Sequence, residues 1–150
     1  MKKSIIVSGL LALALASSLG AKELDLRANM MRLNVELNEI QRGFIKSSQK
    51  KILVHLEAFA KNADDLLADR DNMIKMLPKD MKNKKHKVNI AVESARKIKY
   101  NVTTIKEAIE NKDKLSIIKR QATAQEAYTN IVNACFKCHN LVRDKGRITE

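Results

Sequence analysis

Ala134-Cys135-Phe136-Lys137-Cys138-His139 closes the last long apolar-periodic stretch of the chain, and its reading decides the fold. Two cysteines three positions apart, followed at once by a histidine, have the C-x-x-C-H spacing of c-type haem attachment. The two thiols can add across two vinyl groups as thioethers, with the intervening pair of residues setting the span. The imidazole next to them then lies under the iron as an axial ligand. A pair of cysteines can also be a disulfide, half a zinc site or a thioredoxin-like redox pair. The adjoining histidine favours haem over all three.

The other end of the chain supports this choice. Lys2 and Lys3 form a basic start, Ile5 to Ala16 an apolar run, and Ser18-Leu19-Gly20 a cleavage site with small outer residues. Residues 1–20 therefore read as a secretory signal peptide, and residues 21–150 as one domain. The apolar run is too short, and too soon followed by charge, for a transmembrane helix. Export matters to the chemistry, because bacterial c-type haem is attached outside the cytoplasm.

The 150-residue chain carries a formal charge of +12, with 29 Lys and Arg against 17 Asp and Glu. Loss of Lys2 and Lys3 with the leader leaves it at about +10, still strongly basic. Its cations are not interleaved with aromatics, so an exported chain of this kind is not expected to bind nucleic acid. Acidic protein surfaces or anionic headgroups suit it better, and charged helix faces also serve solubility.

There is no Trp, and only 3 Phe, 2 Tyr and 1 Pro, a composition that points to helices rather than sheet. A core so poor in aromatics has room for a large flat apolar insert. In the first segment, Glu23 to Arg42, apolar residues recur at Leu26, Met30, Leu33, Leu37, Ile40 and Phe44, one face of a helix that Gly43 is expected to end. Ser47 or Ser48 can cap a second helix with the stripe Ile52, Leu56, Phe59, Ala63 and Leu66 or Leu67. Residues 70–87 break the pattern around Pro78 and read as a long connection with a short helical turn near Asn72 to Met76.

A third helix is expected from Lys84 to Glu110, with Val88, Val92, Ala95, Ile98, Val102, Ile105 and Ile109 inward. Asn111 or Asp113 can cap a fourth, whose inward residues are Ile117, Ala124, Tyr128, Ile131, Cys135, Cys138 and Val142. The expected fold is all-α: an antiparallel up-down-up-down four-helix bundle with the haem between the first and fourth helices.

In such a bundle His139, near the end of the fourth helix, lies opposite the start of the first. Met30 falls there on the apolar stripe, whereas Met31 shares a face with Asn34, Asn38 and Arg42. By position, Met30 is either a second iron ligand or an ordinary core methionine.

Two stretches resemble a known family. Ala134-Cys135-x-x-Cys138-His139-x-x-x-Arg143 is similar to the attachment motif of class II c-type cytochromes, the bundle group that includes the cytochromes c-prime. Asp25-Leu26-x-x-Asn29-Met30-x-x-Leu33-Asn34-x-x-Leu37-x-x-Ile40 resembles the first helix of the soluble bundle-type cytochrome b. The resemblance spans residues 21–150 in helix order, with specific motifs only at its two ends. It implies one haem c on Cys135 and Cys138, with His139 and Met30 as metal ligands. Arg143, one turn beyond the histidine, would then sit beside the haem edge, where its charge can meet a propionate. One feature departs from the pattern: counting four residues from Arg27, as in the c-prime branch, reaches Met31. That register would bring Asn34 and Asn38 into the core, so Met31 is kept only as a reserve.

Two functions follow from the resemblance. With His139 and Met30 both on the iron, the chain is a periplasmic electron carrier, not an enzyme, serving redox proteins with acidic surfaces. With the distal side open, it is a c-prime-like binder of nitric oxide or carbon monoxide. A homodimer through the first two helices is left open, since no exposed apolar stripe decides it. His55, His86 and the acidic residues Asp64, Asp65, Asp69 and Asp71 are given no chemical role.

Overall fold

The computed structural model describes residues 26–111 and 115–142. Among these the chain is all-α, in five helices: α1 Leu26–Ile45, α2 Gln49–Leu67, α3 Arg70–Met76, α4 Lys84–Glu110 and α5 Ile117–Val142. The four long helices are the four amphipathic segments of the sequence, α4 with the expected bounds. The expected signal peptide, residues 1–20, and the expected cap Asp113 lie outside the described residues.

The fifth helix corrects the expected count. Asp69 accepts hydrogen bonds from the amides of Asp71 and Asn72 through its side chain, which satisfies the first donors of a new helix. Met73 and Leu77 then bury their side chains, at 2 % and 4 % exposure. Leu77 is extended, as a residue before proline should be, and Pro78 ends α3. The short turn foreseen in the connection is therefore seven residues of helix with its own cap and its own anchor in the core.

The corner between α1 and α2 is a second correction. Gly43 does not end α1; it lies in the last turn, where it lets α2 come close. A Cβ there would stand 2.7 Å from Ile52 Cγ1 and 3.1 Å from its backbone nitrogen. Termination falls to Ser47, whose φ of 49° is left-handed. The Ser48 amide bonds to Gly43 O and the Ser47 amide to Phe44 O, the paired bonds that close a helix C-terminus. Ser48 also caps α2, accepting from the Lys51 amide.

Asn111 closes α4, and Ser116 rather than Asn111 precedes α5, its hydroxyl accepting from the Lys119 amide. Ile117, read as inward, is 67 % exposed, because α5 enters the core only from Ala124.

Close helix pairs are α1 with α2, α2 with α4 and α4 with α5, while the short α3 rests on α2 and α4. Glu36 pairs with His55 and Glu39 with Lys51, so α1 and α2 run antiparallel. Arg120 reaches the Ile109 carbonyl and Ser94 lies beside Cys138, so α4 and α5 do too. Having neighbours on both sides, α4 buries more than one stripe: Ala91, Ser94, Asn101 and Ala108 join the expected apolar residues. The Ser94 hydroxyl and the Asn101 amide donate to carbonyls one turn back at 2.8 Å, which makes their burial tolerable. Among the described residues no helix is long and apolar enough to cross a membrane.

Candidate functional site

α1 and α5 are not packed backbone to backbone. At one level they touch through aromatics: the Tyr128 hydroxyl donates to Leu37 O at 3.4 Å, and its ring meets Phe44 edge-on at 5.6 Å. Beyond Tyr128 the two helices line a cleft. Met30, Leu33, Asn34 and Leu37 form the α1 wall and Ala134, Cys135, Cys138 and His139 the α5 wall. Each set follows helical spacing, so each is one face of its helix. Phe59 and Leu67 of α2 with Ser94 and Ile98 of α4 complete the lining, which is overwhelmingly apolar. The cleft holds about 550 Å³ of empty space, its open mouth included.

The two residues between the cysteines point away, with Phe136 63 % exposed and Lys137 exposed. Cys138 is buried and Cys135 half-buried, and both are free thiols. Burial, and then the neighbouring Cys138, pushes the Cys135 thiol up to about 11. Burial also raises Cys138, with the Ser94 hydroxyl acting in the opposite direction. Reactive redox cysteines need the reverse, a lowered pKa, commonly at a helix N-terminus. Here the pair sits in the last turns of α5, where the helix dipole disfavours a thiolate. Among the described residues no three His, Cys, Asp or Glu side chains gather for a metal ion. The thiols stand as a neutral, apolar-facing pair beside an imidazole.

The remaining expected residues fall as follows. Met30 lines the cleft, and Met31 is 63 % exposed on the outer surface. Arg143 lies outside the described residues. His55 is half-buried with Nδ1 2.7 Å from Glu36 Oε2, and His86 is exposed; neither reaches the cleft. Asp69 caps α3, and Asp65 pairs with Lys61 at 2.6 Å.

Two lining residues lie off the predicted apolar stripes. Asn34 shares its predicted face with Met31, yet it lies at the cleft, one turn from Met30. Ser94 lies one turn before Ile98 of the predicted α4 stripe, so helical spacing alone could have found it. No protein-family model, no curated protein and no solved structure matches the chain.

Proposed function

We propose that the protein is a periplasmic c-type cytochrome that carries single electrons and is not an enzyme. One observation carries the reading: Met30 on α1 and Cys135, Cys138 and His139 on α5 line the same apolar cleft. The fold is then an up-down-up-down four-helix bundle in which α3 is an insertion and the haem lies between α1 and α5. The group fits the residues present. A flat apolar body suits walls of Leu33, Leu37, Phe59, Leu67 and Ile98, and two neutral thiols face it for thioether formation. Cys135 and Cys138 would anchor one haem c, His139 and Met30 would hold the iron, and Arg143 would meet a propionate.

When bound, the haem supplies one-electron iron chemistry, and a thioether ligand favours the reduced metal. The chain's own part is to hold the ligands on helices, which limits rearrangement on electron transfer. Buried Phe59, Leu67 and Ile98 keep water from the floor of the cleft. Residues 1–20 act as the export signal, and the positive surface draws acidic redox partners into brief encounters.

The test is spectroscopic. Haem should survive acidified-solvent extraction in the wild type and be released from the Cys135→Ser, Cys138→Ser double variant; covalent haem in that variant would refute the attachment. The weak far-red band that reports an iron–methionine bond should vanish in Met30→Ala and persist in Met31→Ala. A high-spin wild type whose carbon monoxide binding ignores Met30→Ala would replace electron transfer with gas binding.

A further inference from the structure

At the opposite end of α1 and α5 from the cleft, a second cavity opens with about 690 Å³ of empty space, its mouth included. Its walls are part apolar, with Phe44, Ile52, Ile109 and Ala124, and part polar, with Gln121 and Arg120. Arg120 is the notable member. Its Nη1 donates to the Ile109 carbonyl over a long 3.4 Å, and its Nε is buried without a hydrogen-bond partner. A buried donor on a charged group is costly to leave unmade. Capping the carboxyl end of α4 accounts for the cation's position but not for that unmet Nε.

We infer that this cavity is a binding site for a small monocarboxylate with a short apolar body. A carboxylate is the planar, bidentate match for a guanidinium edge. With Nη1 turned toward Ile109, the edge left is the one formed by Nε and Nη2. In the folded protein the Nε of that edge is buried, so binding requires the guanidinium to turn about its long contact and bring the edge to the cavity, where Phe44, Ile52 and Ala124 would receive the apolar body. Bulkier or purely inorganic anions match only half of this lining. The site touches α1, α2, α4 and α5 together, so an occupant bridges all four long helices. It is independent of the cleft and of any haem.

Sodium hexanoate is the probe, titrated into the full-length protein as expressed, with the Arg120 Nε–H cross-peak and neighbouring amides followed by NMR. Hexanoate should shift these signals saturably. Hexanol and inorganic phosphate should bind at least about tenfold more weakly, as expected for loss of a charged hydrogen-bond pair or of the apolar contact. Arg120→Gln should weaken hexanoate by a similar factor, whatever it does to stability through loss of the cap. Should that variant fail to fold, Ile117→Glu, at an exposed position on the cavity wall, should repel hexanoate to the same degree. Equal binding of hexanol or phosphate, no saturation, or hexanoate binding unchanged in the folded variant would each overturn the assignment.

Discussion

Single atoms decide the corner between α1 and α2. Gly43→Ala puts a methyl 2.7 Å from Ile52 Cγ1 and against α2 backbone, so it cannot be absorbed by a rotamer change alone. It should destabilise the protein by about 1–3 kcal/mol, read as a lower urea midpoint at unchanged slope. Ser47 is the opposite case. A left-handed residue with a Cβ costs roughly 1–2 kcal/mol, and glycine returns part of that gain as chain entropy. Ser47→Gly should therefore stabilise by about 0.5–1 kcal/mol in the same assay. As free thiols, Cys135 and Cys138, both raised by burial, should react slowly: at pH 8 iodoacetamide should modify them more slowly than it modifies glutathione. Faster reaction would restore the redox-pair reading of the C-x-x-C.

Among the elements, the α1–α2 pair has a measurable electrostatic seam. Lys51, and then Arg42, hold the Glu39 carboxyl below its ordinary value of 4.5. A carboxyl with a lowered folded-state pKa adds stability above that ordinary value and loses it as the pH falls through the folded one. The stability advantage of wild type over Glu39→Gln should thus shrink below about pH 4.5, as followed by acid titration of helical circular dichroism. The four long helices were readable because their apolar periodicity is long and regular. Their ends were less readable. Gly43 offered a helix stop by residue type, but Ile52 needs the space it leaves, so the stop moved to Ser47. Likewise Asn111 had the chemistry to open α5 and instead closes α4, because Ser116 stands nearer the first buried turn.

At the scale of the whole molecule, the excess of basic residues, 29 Lys and Arg against 17 Asp and Glu, predicts behaviour rather than shape. If the chain passes electrons to acidic partners, the second-order rate should fall steeply between about 10 and 200 mM salt in stopped-flow measurements, as screening shortens the reach of the field. A rate indifferent to salt would remove the basic surface from the reaction. If the chain carries the proposed haem, its removal should also be felt globally. The cleft walls from α1 and α5 touch through Phe44 and Tyr128, so protein prepared without haem should melt at a lower temperature than the haem-loaded protein.

By itself the sequence determined that this chain is helical, where its four long amphipathic segments run, and that Cys135, Cys138 and His139 share one side of a helix. Those are properties of local spacing, which a single helix already realises. Only the tertiary structure decided that Asn34 joins Met30 in facing those three residues, that Ser94 lies beside Cys138, and that Arg120 lines a second cavity. Each of these depends on how helices distant in sequence are rotated against one another, and periodicity along one helix does not specify that rotation.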